Sequence, residues 1–142
     1  MNDTPRHIIY VGAFIVKDGR LLAIQRGLDE GHLPGYWSVP GGKVDIETDV
    51  WHILEESVSR EVMEETGVVI GKEMRLFANN SFTRTDGEPM IAMNFLCEYV
   101  SGDPQPLDGT ADVRWVTEDE LSALKIEENT LRQMKLAFST AD

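Results

Sequence analysis

Three glutamates crowd into one predicted helical turn that a glycine closes. The stretch 60–68 reads REVMEETGV and spaces Glu61, Glu64 and Glu65 at i, i+3 and i+4. Residues at these spacings are neighbours on a helix surface, so the carboxylates repel one another. Gly67 is typical of the left-handed residue that ends a helix. The segment therefore predicts a helix whose charges either stay in water or are neutralised by a cation.

The position of the glutamates on the helix favours the cation. On a wheel of about 100° per residue, Glu65 lies inside the apolar stripe and Glu61 lies at its edge. The stripe is formed by Trp51, Leu54, Val58 and Val62. An ionised carboxylate on a core-facing stripe is costly unless something pairs with it, which argues against a merely solvated acidic helix. Oxygen ligands of this kind suit Mg²⁺, and Mn²⁺ tolerates them.

A glycine-rich segment upstream extends the pattern. Residues 35–43 read GYWSVPGGK. Together with residues 60–68, they resemble the box of the Nudix hydrolase family: a glycine, a spaced glutamate, then Arg-Glu-x-x-Glu-Glu-x-Gly. The second half matches at every specified position. The resemblance implies hydrolysis of a diphosphate linkage, with Gly42 as the box glycine and the Gly41 carbonyl as a further metal ligand.

The loop inside this box is longer than the family pattern. Eighteen positions separate Gly42 from Arg60, four more than in the pattern, and no glutamate stands at the expected spacing. The family's first glutamate orients the arginine. Glu47 could reach Arg60 if the insertion bulges outward. Alternatively Glu56 or Glu64, one turn to either side, could hold the guanidinium.

Composition limits the partners and the compartment. Acidic residues outnumber basic ones, 25 to 13, for a net charge of −12, which argues against duplex nucleic acid as a partner. A phosphorylated small molecule stays compatible, because bound metal ions reverse the local sign of a site. The lone Cys97 excludes an internal disulfide and favours a reducing compartment. Residues 1–7 lack a signal-peptide pattern and no apolar run could span a bilayer, so we expect a cytoplasmic protein without a membrane partner.

Length and residue patterning predict one domain over residues 1–142, in the α/β class, and the resemblance implies that it is a Nudix hydrolase domain. Asp18 and Gly19 indicate a hairpin. Strands are expected over 8–16, 20–26, 37–39, 74–84, 90–100 and 113–116. Helices are expected from Thr48 or Asp49 to Thr66, over 118–124 and over 128–138. These elements suggest an α/β/α sandwich around a mixed β-sheet, which is also the fold that the resemblance implies.

The chemistry assigns roles to the acidic residues. Divalent ions relieve the repulsion between water and a diphosphate, and they acidify a bound water. We expect Glu61, Glu64 and Glu65 to hold the metal, with Asp112 as an extra ligand or an ordinary loop acid. A general base contributes about 10²- to 10⁴-fold; Glu64, Glu65, or an acid before the last strand (Asp108 or Asp112) could supply it.

Other residues are candidates for substrate binding. Arg26 and Lys43 could bind phosphate or form surface ion pairs, and the small Gly42 lets the chain approach a ligand closely. Three aromatic residues could stack on a base or pack in the core: Trp37, Phe82 and Phe95. Three histidines show no ligand spacing and are expected to be structural or exposed: His7, His32 and His52.

The leading substrate is a nucleoside triphosphate, cleaved to a monophosphate and pyrophosphate. ADP-ribose or another nucleoside diphosphate derivative is the alternative, although Thr83 stands where a proline is expected in ADP-ribose hydrolases of the family. A catalytically inactive ligand-binding module would have broken box carboxylates, and an isomerase relative would use a cysteine such as Cys97. The chain is also compatible with a homodimer.

Overall fold

A mixed sheet flanked by helices dominates the computed structural model, which describes residues 6–45 and 47–141. Residues 1–5, part of the segment that was inspected for a signal peptide, lie outside the described residues. The strands are β1 (Ile8–Lys17), β2 (Arg20–Arg26), β3 (Trp37–Ser38), β4 (Gly41–Lys43), β5 (Val69–Thr83), β6 (Pro89–Ser101) and β7 (Thr110–Val116). The helices are α1 (Ile53–Thr66), α2 (Glu128–Thr140) and a short 3-10 helix (Asp119–Ala123).

The sheet is built around β1. Its order is β3-β2-β1-β6-β5, with β4 paired to β1 and β7 paired to β2. β1 runs parallel to β6 and antiparallel to β2 and β4. The β4 pairing sets Val11 opposite Gly42 and Gly12 opposite Gly41, so the glycine segment is fixed against the centre of the sheet.

Alternation along β1 separates two apolar layers. Ala13 and Ile15 belong to the cluster that contains Val62 of α1, whereas Phe14 belongs to the cluster that contains Met134 of α2. Successive strand residues point to opposite faces of a sheet, so one strand supplies both layers. The predicted α/β/α sandwich around a mixed sheet is confirmed.

The predicted start of α1 is wrong. Asp49 and His52 have φ angles of 63° and 58°, in the left-handed region that a right-handed helix does not include. The helix therefore begins at Ile53, with His52 before its first turn. Trp51 precedes the helix and is 87% exposed, so it is not part of the buried stripe.

The predicted hairpin is confirmed, whereas two other elements differ from the prediction. Asp18 and Gly19 both have positive φ and join β1 to β2 in the predicted hairpin. β5 begins at Val69, earlier than predicted, and the segment expected as a helix over 118–124 is the short 3-10 helix.

Within the described part of the chain, no helix is both long enough and apolar enough to cross a membrane.

Candidate functional site

The end of α1 brings the glutamates to the glycine strand β4. Gly67 caps the helix with a φ of 75°, and its N–H donates to the Met63 carbonyl, as predicted. Glu61 is largely shielded, with a side chain 14% exposed, whereas Glu64 is 45% exposed. Glu61 and Glu65 are thus partly shielded, whereas Glu64 on the same face is exposed to solvent.

Glu65 is anchored directly to β4. The Gly41 N–H donates to Glu65 Oε1 at 2.9 Å. The pKa of Glu65 is raised to about 8, chiefly by burial; the Gly41 hydrogen bond opposes the rise, and the nearby Glu61 charge adds to it. A carboxylate held this way favours a proton or a cation as its partner.

Glu61 lies against the bare backbone of Gly42. A Cβ built on Gly42 would stand 2.5 Å from Glu61 Oε1 and 2.6 Å from Oε2. Burial raises the pKa of Glu61 to about 7; Arg60 lowers it, and the Glu64 charge raises it. The glycine at this position is therefore what allows the carboxylate to reach the strand.

Arg60 binds three acids. Its Nη1 lies 3.2 Å from Glu61 Oε1 and 3.6 Å from Glu64 Oε1, and its Nη2 lies 3.3 Å from Asp45 Oδ2. Among the described residues, neither Glu47 nor Glu56 pairs with Arg60, so of the three expected partners only Glu64 is observed. Sequence reasoning did not predict Asp45 as a partner of Arg60, although an acid just after β4 was a candidate for that role.

These groups fit a divalent cation by donor type and by charge. In the ranges 6–45 and 47–141, no three His, Cys, Asp or Glu side chains already stand as a coordination shell; Arg60 pairs with Glu61 and Glu64, and the Gly41 N–H donates to Glu65. Glu61 and Glu65 nevertheless have raised pKa values, so neighbouring groups leave their charges under-neutralised. Oxygen donors in this state suit a hard ion, which Glu61, Glu64 and Glu65 would hold.

A cavity of about 270 Å³ adjoins Tyr10, and none of the three glutamates is among its lining residues. Tyr10 lines the cavity, and its hydroxyl would stand 3.0 Å from a Cβ built on Gly41. Burial raises the pKa of the Tyr10 phenol, and the Glu65 charge is the next largest cause. Tyr10 is therefore a shared wall between the acidic cluster and the cavity.

Aromatic and cationic side chains line the rest of this cavity. Phe82, Trp37 and His32 are among the lining residues, and the rings of His32 and Phe82 are 6.0 Å apart. Arg26 and Arg84 contribute positive charge, and Arg26 Nε donates to the His32 carbonyl at 2.6 Å. Burial, then these two arginines, lowers the pKa of His32. Flat apolar walls with cations suit a base joined to phosphate.

Three predicted ligands contact other groups, among them Arg26, whose Nη2 lies 3.6 Å from Glu30 Oε2. Lys43 Nζ pairs with Glu88 Oε1 at 2.7 Å. Asp112 accepts from the Val113 N–H at 2.8 Å, and its other oxygen pairs with Arg114 Nε at 3.2 Å. Among the described residues, no hydrogen bond or ion pair joins Asp112 to the α1 glutamates. A metal role for Asp112 and a phosphate role for Lys43 remain predictions.

The remaining candidate residues differ in how far they are buried. Phe95 and Cys97 lie in the core beneath α1, 5% and 7% exposed, as their core interpretation predicted. Burial raises the pKa of the Cys97 thiol to about 12, so this cysteine is unsuited to nucleophilic chemistry. His7 and His52 are exposed, as expected, and so is Asp108.

Sequence reasoning missed most of the polar lining of the cavity. Tyr10, Arg84 and three carboxamides (Asn80, Asn94 and Gln133) all face it. One signal was available: Asn94 interrupts an apolar run in β6, and a buried carboxamide there needs partners. The carboxamides that join Asn94 in the cavity wall are remote from it in sequence, so the three do not form a sequence motif.

Comparisons with known proteins relate this chain to one family and to several of its members. The family model described as NUDIX domain matches residues 6–138. A MutT-like protein of Streptomyces ambofaciens is 31% identical over 129 residues, covering 90% of this chain and 75% of that protein. The nucleoside triphosphatase NudI of Enterobacter sp. (strain 638) is 27% identical over 125 residues, covering 82% and 86%. The crystal structure of a MutT protein from Methanosarcina mazei superposes with a TM-score of 0.76 at 27% identity, covering 99% and 98%.

Proposed function

Because the chain belongs to the Nudix family and is a pyrophosphohydrolase, we propose that it cleaves nucleoside triphosphates to monophosphates and pyrophosphate with Mg²⁺. Nudix hydrolases generally use a divalent metal, and the family acts on small nucleotides. Mn²⁺ would substitute, since the same oxygen ligands accept it. We further propose that residues 1–142 form one such domain and that it works in the cytoplasm.

One observation supports this proposal above the others: Tyr10 belongs both to the aromatic cavity and to the surroundings of Glu65 and Gly41. A base in the cavity would direct its phosphates toward the acidic cluster. Arg26, which is 15% exposed at the cavity wall, would contact those phosphates between the base and the acidic cluster. The similarity to a nucleoside triphosphatase supports the same substrate class.

The residues divide into three roles. Glu61, Glu64, Glu65 and the Gly41 carbonyl would hold the metal, which when bound neutralises phosphate charge and acidifies water. Arg60 would position Glu61 and Glu64, as its contacts to both indicate. Glu64 is the most exposed of the three acids, so as general base it could return its proton to solvent.

The test is a panel of nucleotides, with and without Mg²⁺, in which pyrophosphate, phosphate and monophosphate are each measured. We expect Mg²⁺-dependent release of pyrophosphate from triphosphates. Glu64→Gln and Glu65→Gln should each lose at least tenfold in kcat, which is about 1.36 kcal/mol of barrier. Glu56→Gln is the matched control on the same helix, because Glu56 is exposed and has no ion pair among the described residues.

The same panel separates the alternatives. ADP-ribose or another nucleoside diphosphate derivative would yield two monophosphate products and no pyrophosphate. An inactive binding module would bind nucleotides and release nothing. If the glutamine variants turn over as fast as the Glu56→Gln control, the assigned roles are wrong.

A further inference from the structure

Three carboxamides from three elements form a hydrogen-bonded relay in the wall of the cavity. Asn94 of β6 donates through Nδ2 to Gln133 Oε1 of α2. Gln133 in turn donates through Nε2 to Asn80 Oδ1 of β5, at 3.0 Å. All three side chains line the cavity, which makes the relay part of the surface that a bound base would meet.

Each end of the relay retains one free group. Asn94 Oδ1 and Asn80 Nδ2 have no hydrogen-bond partner among the described residues. No fully buried side-chain nitrogen or oxygen there lacks a partner, so these two atoms are not fully buried; both belong to residues that line the cavity. Gly12 provides the room at one end, because a Cβ on Gly12 would stand 2.6 Å from Asn94 Oδ1. The relay thus offers one acceptor and one donor.

The direction of this relay can reverse without losing a hydrogen bond. A carboxamide carries a carbonyl acceptor on one side and an NH₂ donor on the other, and half a turn about its last bond exchanges them. If all three amides turn, Asn80 donates to Gln133, and Gln133 donates to Asn94. Asn94 then presents a donor to the cavity, and Asn80 presents an acceptor.

We infer that this reversible relay lets the cavity accept bases that carry either a keto or an amino group. The inference rests on the proposed nucleotide hydrolysis and names its substrate range. A keto oxygen of the base needs a hydrogen-bond donor, and an amino group needs an acceptor. Each end of the relay can present either one, because its amide can turn. We expect kcat/KM for ATP and for ITP, which differ at the 6-position and the adjacent ring proton, to agree within tenfold.

Two substitutions fix the direction. In Asn80→Asp the carboxylate only accepts, so Gln133 must donate to it and the free end at Asn94 is a carbonyl. In Gln133→Glu both neighbours must donate to the new carboxylate, so both free ends are carbonyls. Each variant then favours the amino base, and we expect the ATP to ITP ratio of kcat/KM to rise at least tenfold.

Asn79→Asp is the matched control. It makes the same charge change one residue away on β5, where Asn79 is exposed and does not line the cavity. General repulsion of triphosphates by the added charge cancels in the ratio, so the control should change the ratio less than threefold. Circular dichroism melts establish that each variant is folded.

Failure of the inference is distinct from failure of the proposed function. A parent enzyme that favours ATP or ITP more than tenfold would overturn the relay, as would variant ratios equal to that of Asn79→Asp. A parent that hydrolyses neither triphosphate, and no other member of the nucleotide panel, would overturn the proposed function and this inference with it.

Discussion

Replacement of Gly42 by alanine tests how the acidic cluster is held. The new methyl group would stand 2.5 Å from Glu61 Oε1, whereas ordinary contact begins at 3.4 Å. The Glu61 carboxylate must therefore move about 1 Å, and a displacement of that size at a reacting centre costs about 10²-fold. We expect kcat for triphosphate hydrolysis to fall about a hundredfold.

Folding should be nearly unaffected by this change. The φ of Gly42 lies outside the left-handed region, and the clashing atoms are the far end of a flexible side chain. Gly→Ala at a compatible position changes stability by only about 0.4–1 kcal/mol. Gly41→Ala is different, because its Cβ would overlap the Val11 carbonyl oxygen of the neighbouring strand. That variant should lose stability as well as activity.

The assay combines steady-state pyrophosphate release with thermal melts. Gly71→Ala in β5 is the control, since the nearest atom to its new Cβ, Glu98 Cβ, is at an ordinary 3.6 Å. If Gly42→Ala is folded and retains kcat within threefold of the Gly71→Ala control, the reasoning about Glu61 is refuted.

Two further predictions concern charge. The raised pKa values of Glu61 and Glu65, about 7 and about 8, mean that the metal-free fold favours their protonated forms. The protonated forms of these two carboxyl groups therefore stabilise the fold fully below the ordinary carboxyl pKa. This stabilisation is lost as the pH rises through 7 and 8. In chelator, the melting temperature should fall over this range more steeply for the parent than for Glu65→Gln, and equal slopes would contradict this. Asp45→Asn should lower kcat/KM three- to tenfold while Glu47→Gln leaves it unchanged, because of these two loop acids only Asp45 pairs with Arg60 among the described residues; the reverse order would restore Glu47 as the partner.

Local patterns were sufficient for the framework of this fold. The apolar alternation of β1 and the Asp18-Gly19 hairpin follow from period and turn chemistry, which act within a few residues. The position of Glu65 against the sheet also followed from helix geometry, because a wheel needs only spacing. These features depend on neighbours in sequence.

The parts that sequence reasoning missed depend on distant neighbours or on loop conformation. The left-handed residues Asp49 and His52 shorten α1, and nothing in their types requires that conformation. Asp45 replaces Glu47 as the partner of Arg60, because the path of the inserted loop decides which acid comes close. The carboxamide relay joins residues 39 and 53 positions apart, so only the folded chain reveals it.

The central claim is that the α1 glutamates hold a divalent ion beside a nucleotide cavity. The most direct measurement is an anomalous difference map from crystals soaked in Mn²⁺ with a non-hydrolysable triphosphate. We expect a manganese peak bonded to oxygens of Glu61 and Glu65, at about 2.0–2.3 Å, with the phosphates bound to the same ion and the base inside the cavity. A map without manganese at these carboxylates, with Arg60 still bonded to Glu61 and Glu64, would contradict it.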